Sequence, residues 1–196
     1  MLKRVFDIFF SIFALLIFLP FGLLLALIIT LESRGGVFYR QERIGQFGKP
    51  FKLLKFRSML TGADKNGLLT VGMNDSRITK SGSFIRRYKL DEMPQFINVL
   101  KGDMSIVGPR PEVKKYVDLY TEEQRSILNV KPGITDYASL EYFKENEILA
   151  QSDNPERSYI EEIMPDKIRI NQKYLMNPTL KEDLKIIGLT IKKILS

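Results

Sequence analysis

The chain contains no cysteine and no histidine among its 196 residues. Without cysteine there is no disulfide framework, no thiolate zinc site and no thiol nucleophile, and a reducing cytosol is permitted. Without histidine there is no imidazole to act as general base, metal ligand or triad member. Acid–base and covalent chemistry therefore falls to carboxylates, Lys, Tyr, Ser or Thr. Any metal would have oxygen ligands, which favours magnesium or manganese arriving with substrate phosphates. Also missing are a Walker-type loop, a GxGxxG motif after a strand and any internal repeat, so the common nucleotide folds gain no support. The length suits one ordinary domain with its own core.

What is present begins with a hydrophobic run. Ile8 to Ile29 carries no charge and only Ser11 as a polar side chain, about the length that crosses a ~30 Å hydrocarbon core. It is too long for a signal-peptide core and no small-residue cleavage site follows it. Pro20 and Gly22 lie in its middle, where a missing backbone donor predicts a kink or break. Lys3 and Arg4 precede the run and Arg34, Arg40 and Arg43 follow it. The positive-inside rule places both flanks in the cytoplasm, which favours a re-entrant helix-break-helix over a straight span. Residues 1–60 supply +6 of the net +7, leaving 21 basic against 20 acidic residues in the remaining 136. Charge gathered beside an apolar segment points to an anionic membrane surface and away from nucleic acid.

Beyond residue 34 the pattern predicts a β-hairpin, with strands at Val37–Arg43 and Phe51–Phe56 around a Gly45–Gly48 turn. Gly62 to Asp75, rich in Gly, Asn, Asp and Thr, reads as a surface loop. Helical signals run from Ser83 to Leu100 with an interruption near Pro94, and again from Glu112 to Asn129. Gly133 to Glu162 holds eight acids against Lys144 and Arg157, a composition usual for a solvated face. The last helix, Thr179 to Leu195, opens with capping-box spacing at Thr179 and Glu182. Its stripe of Leu180, Leu184, Ile187, Ile191 and Ile194 is expected to pack on the core, with a membrane-surface role for the flanking lysines as a second reading. The expectation is an α+β protein: a membrane segment at residues 1–34, then a small hairpin and a mainly helical domain at 35–196.

Two motifs could carry chemistry: Arg86-Arg87-Tyr88-Lys89-Leu90-Asp91-Glu92-Met93-Pro94-Gln95 and Gly102 to Glu112, which contains Gly108-Pro109-Arg110-Pro111. Proline is tolerated in the first turn of a helix, so Asp91 and Glu92 sit at or just before an N-terminus, where the helix dipole favours carboxylates. Adjacent helical residues point about 100° apart, so one carboxylate can attack phosphorus while the other holds a metal. Such a nucleophile needs cations against the repulsion of an anionic substrate. Arg86, Arg87, Lys55 and Arg57 are candidates, and Arg110 between two prolines suits a preorganised phosphate clamp. Taken singly, each motif is equally an ordinary helix start, a rigid turn or a solvated face.

Together, Lys3-Arg4-x-x-Asp7 before the proline-containing run, Lys55-Phe56-Arg57-Ser58-Met59, Leu90 to Gln95, Gly102-Asp103-Met104-Ser105 with Gly108 to Pro111, and Pro132-Gly133-Ile134-Thr135 resemble the bacterial sugar transferase family, the small monotopic phosphoglycosyl transferases. The motifs occur in order across nearly the whole chain. The resemblance implies a ping-pong transfer in which Asp91 attacks the sugar-bearing phosphorus of a UDP-sugar, releases UMP and passes the sugar phosphate to undecaprenyl phosphate. It further implies that Glu92 binds Mg2+, that Arg110 contacts the nucleotide or its phosphates, and that Lys55, Arg57 and Arg86 line the site. The expected setting is the cytoplasmic face of the bacterial inner membrane, in contact with lipid, as a first step of glycoconjugate synthesis. A homodimer is compatible with it. The competing class is a membrane-tethered basic adaptor or nucleic-acid-binding protein. Two departures stand out: Leu19 precedes Pro20 where members often have Ser, and Asp136-Tyr137-Ala138-Ser139 follows Thr135 where many continue with Gly.

Overall fold

In the computed structural model, which describes residues 2–63, 69, 72 and 75–196, the apolar run forms a single helix, α1 (Leu2–Glu32), with Pro20 inside it. The expected division into two helices is not made. Proline removes one donor, and the hydrogen-bond ladder on either side keeps the helical assignment continuous. At ~1.5 Å per residue, 31 residues extend to about 46 Å.

One face of α1 follows the protein along this whole length. Asp7, Ser11, Leu25 and Ile29 are buried, and Phe6, Phe10, Ala14, Leu15 and Phe18 pack beside them against the core. The opposite face is bare apolar surface, with Phe9 at 70% exposure and Leu31 at 78%. Both ends are tied to the same body. At the start, Lys3 pairs with Asp183 at 2.5 Å, the Arg4 guanidinium donates to the Val99 carbonyl at 2.6 Å, and buried Asp7 accepts from Ser105 Oγ at 2.8 Å and Ile106 N at 3.1 Å. At the finish, Arg57 Nη2 donates to the carbonyls of Ile29 and Ser33 at 3.0 and 2.6 Å. A cation on the last carbonyls complements the negative end of the helix dipole.

Strands β1 (Phe38–Ile44) and β2 (Pro50–Phe56) form the expected antiparallel hairpin, in register from Phe38 opposite Phe56 to Ile44 opposite Pro50. The far edge of β2 is closed by a side chain. Asn98 Oδ1 accepts from Leu54 N at 2.9 Å and its amide donates to the Lys52 carbonyl at 2.8 Å, occupying backbone groups that an edge strand leaves open.

The predicted Gly62–Asp75 loop lies largely outside the described residues. Helix α2 (Lys80–Arg87) follows, capped by the Thr79 hydroxyl. A 3-10 turn at Leu90–Glu92 comes next, and then α3 (Gln95–Lys101), with Pro94 at its N-cap. Gly102 ends α3 with φ +93°, a conformation glycine adopts without a Cβ penalty. Two three-residue strands, β3 (Ser105–Val107) and β4 (Gly133–Thr135), pair in parallel, which the sequence pattern did not announce. They touch so closely that a Cβ on Gly133 would lie 2.1 Å from Gly108 N.

The continuous helix expected over Glu112–Asn129 is instead α4 (Lys114–Val117) and a 3-10 segment (Gln124–Asn129). Between them Thr121 and Gln124 cap each other, Thr121 N donating to Gln124 Oε1 at 2.9 Å, so the chain stops and restarts. The acidic stretch forms short helices α5 (Tyr137–Glu141), α6 (Glu145–Ala150) and α7 (Pro155–Ser158), then a π-helical turn leading into α8 (Met164–Leu175). Helix α9 (Leu180–Leu195) buries Asp183, Ile186 and Ile187, whereas Leu184 and Ile191 are exposed. Its expected stripe is therefore rotated. Asp183 turns inward because Lys3 and the Tyr174 hydroxyl both hold its carboxylate, and a paired acid can displace a leucine from the buried face.

Candidate active site

Three chain segments converge on one acidic pair. Lys89, with φ +55°, turns the backbone out of α2 into the 3-10 turn, and that turn directs both Asp91 and Glu92 inward. Asp91 is 4% exposed. Lys55 reaches them from β2, with Nζ 3.2 Å from Glu92 Oε1 and 3.8 Å from Asp91 Oδ2. From the loop after β3, Arg110 grips both oxygens of Glu92, Nη1 to Oε2 at 3.2 Å and Nη2 to Oε1. Two carboxylates thus face two cations at the floor of the site.

Burial would push the Glu92 carboxyl up, but the charges of Arg110 and Lys55 outweigh it and hold Glu92 well below the usual carboxylate range. Burial lowers the Lys55 ammonium, against the attraction of Glu92 and Asp91. The Glu92 charge raises the Arg110 guanidinium above its already high value. At neutral pH the Glu92–Arg110 pair is fully ionised.

Lys55, Asp91, Glu92 and Arg110, singled out from the sequence, are brought together. Arg57 goes elsewhere. Arg57 serves the end of α1, two residues beyond Lys55, and its buried Nε and Nη1 have no hydrogen-bond partner among the described residues. Arg86 is half-buried on the last turn of α2, where its charge adds to the stronger pull of Arg77 on the Asp75 carboxyl.

Several neighbours escaped the sequence reading. Lys89 adds positive charge near Glu92. Arg43 donates to the Pro111 carbonyl at 3.1 Å and pairs with Glu112 at 2.9 Å, and Tyr159 donates to the other Glu112 oxygen at 2.9 Å. Hairpin register held the signal for Arg43. Residues of alternating position share a face, and Tyr39 opposite Lys55 puts Arg43 on the Lys55 side.

The donor set suits magnesium carried in with a diphosphate better than a resident ion. No group of three or more acids that could hold a metal occurs among the described residues. Asp91 and Glu92 supply oxygen alone, and Mg2+ commonly binds through one or two carboxylates plus substrate phosphates. Chemically, a buried carboxylate beside fixed cations can attack an electrophile whose own negative charge the cations offset.

The whole chain, residues 1–196, matches the family model described as bacterial sugar transferase. Among curated relatives, the uncharacterized sugar transferase EpsL of Bacillus subtilis is 39% identical over 99% of this chain and 87% of its own length. The UDP-glucose:undecaprenyl-phosphate glucose-1-phosphate transferase of Escherichia coli is 37% identical over 98% of this chain. A UDP-N-acetylgalactosamine-undecaprenyl-phosphate N-acetylgalactosaminephosphotransferase of Aeromonas hydrophila is 35% identical over 100%. The chain spans 40% and 44% of those two longer proteins.

Proposed function

Because the chain belongs to the bacterial sugar transferase family, we propose that it transfers a sugar 1-phosphate from a UDP-sugar to undecaprenyl phosphate through a covalent Asp91 intermediate. The observation that carries the reading is the buried Asp91–Glu92 pair faced by Lys55 and Arg110. An Asp91 oxygen attacks the phosphorus that bears the sugar. The bond from that phosphorus to the bridging oxygen breaks, and UMP leaves with the electron pair. In the second half an oxygen of the lipid phosphate attacks the same phosphorus, frees the Asp91 carboxylate and forms the lipid diphosphosugar.

A carboxylate attacks phosphorus as the anion, and the lipid nucleophile is a phosphate monoester whose second pKa is about 6. Neither half-reaction needs a base to strip a proton, so a site without histidine is sufficient. Its task is to hold negative groups together, which Lys55 and Arg110 do electrostatically. Glu92 would hold Mg2+, which would supply charge neutralisation on the diphosphate.

The protein is membrane-associated, and α1 supports entry from one side only. Both of its ends are bound to the same body, whereas the ends of a straight span would lie on opposite sides of the ~30 Å hydrocarbon core. The positive flanks support a setting on the cytoplasmic face of the bacterial inner membrane.

The test is UMP release from a panel of UDP-sugars with magnesium and polyprenyl phosphate, together with intact-protein mass after donor alone. The expected mass gain is one sugar phosphate, absent in Asp91→Asn. An Asp91→Asn protein that still turns over would refute the nucleophile.

A further inference from the structure

The loop that carries Arg110 is fastened along its length. Gly108 N donates to the Thr135 carbonyl at 3.1 Å, Gly133 N to the Pro109 carbonyl at 3.0 Å and Ile44 N to the Glu112 carbonyl at 2.8 Å. Arg43 holds Pro111. The Arg110 amide itself donates to Asp136 Oδ2 at 2.8 Å. Asp136 is completely buried, at 0% exposure. Its Oδ2 also accepts from Asn171 Nδ2 at 3.0 Å, and its Oδ1 accepts from Ser139 N, capping α5.

Capping does not account for this residue. Ser, Thr or Asn caps a helix as well as Asp does, and a buried carboxylate whose hydrogen-bond partners are all neutral is costly. Two of its three contacts, from the Arg110 amide and from Asn171, lie outside the cap and converge on one oxygen. We propose that Asp136 is a positioning residue of the active site. It fixes the Arg110 backbone with one oxygen, so that the arginine meets the donor already set on Glu92. Through Asn171 it also ties that loop to α8. The inference rests on the transferase reading above.

The test is Asp136→Asn, which keeps an oxygen for the cap but loses the charge and leaves one amide where two N–H donors now converge. For folded enzyme, kcat/KM for UMP release is expected to fall about 10- to 100-fold, the scale of a small misplacement of a catalytic group. In an Arg110→Ala background the same change is expected to cost less than about 2-fold, because its effect passes through Arg110. Exchanging the pair, Asp136→Asn with Asn171→Asp, returns a carboxylate to the site and is expected to recover part of the loss.

Should Asp136→Asn fail to fold, Asn171→Ala withdraws one donor from Oδ2 and spares the cap. The expected loss is then roughly 3- to 10-fold, the worth of one hydrogen bond, again only when Arg110 is present. A kcat/KM within about 3-fold of wild type in Asp136→Asn, or an equal loss with and without Arg110, overturns the proposal. A wild-type protein that releases no UMP overturns the function reading instead.

Discussion

Replacing Arg110 with alanine leaves Glu92 buried with Lys55 as its remaining contacting cation, and the size of the effect follows from the geometry. The pair is bidentate, with 11% of the Glu92 side chain and 31% of the Arg110 side chain exposed. Breaking a buried pair by removing one partner costs about 3–5 kcal/mol. Partial exposure of Arg110 and the surviving Lys55 contact at 3.2 Å reduce this to about 2–3 kcal/mol. For a chain of this size that is a fall in Tm of about 4–12 °C. The assay is far-UV circular dichroism in detergent or nanodiscs, from pH 7 downward.

The pH dependence has a definite sign. A carboxyl depressed on folding contributes stability above its unfolded value and loses it as pH falls through the folded value. In wild type the Glu92 contribution therefore persists below the ordinary carboxylate range. In Arg110→Ala burial weighs more heavily, Glu92 titrates higher, and the acid limb moves to higher pH. Adding Glu92→Gln should relieve part of the Arg110→Ala loss, with a coupling of at least about 1 kcal/mol. A Tm change below about 2 °C together with an unmoved acid limb would refute the reasoning.

Gly133→Ala should destabilise by about 3 kcal/mol, read from thermal unfolding, because its Cβ would strike the backbone of Gly108. Asp7→Ala strips the acceptor from Ser105 Oγ and Ile106 N and should cost about 2–4 kcal/mol, with faster proteolysis where α1 meets the body. Tyr159→Phe removes the bond to Glu112 and should cost about 1–2 kcal/mol with little change in UMP release. Single cysteines at Leu2 and Leu31 should both resist an impermeant thiol reagent on intact cells and react in inverted membranes. Labelling of Leu2→Cys from outside would reject one-sided entry.

The legible features were those written in local order. The uncharged run announced a membrane helix, hairpin alternation announced β1 and β2, and Pro94 placed Asp91 and Glu92 just ahead of α3. The ordered motifs carry the family resemblance in the sequence alone. Other features were lost to competition among partners distant in sequence. Periodicity in α9 marks an apolar stripe, but Lys3 and Tyr174 capture Asp183 and turn Leu184 and Ile191 outward. Lys55 near the end of β2 and Arg57 just beyond it lie two residues apart, yet one reaches Glu92 while the other is drawn to the carbonyls ending α1.

By itself, then, the amino-acid sequence determined that this chain carries an apolar helix of membrane length, and that without histidine or cysteine its chemistry falls chiefly to carboxylates and cations. Which cations those are was decided only by tertiary structure. Lys55, Asp91 and Arg110 lie on three segments, and an ion pair is worth a buried contact only where packing excludes water and holds both partners in place. The same holds for Asp136: its sequence neighbours show a helix cap, and only the fold sets its second oxygen against the Arg110 amide.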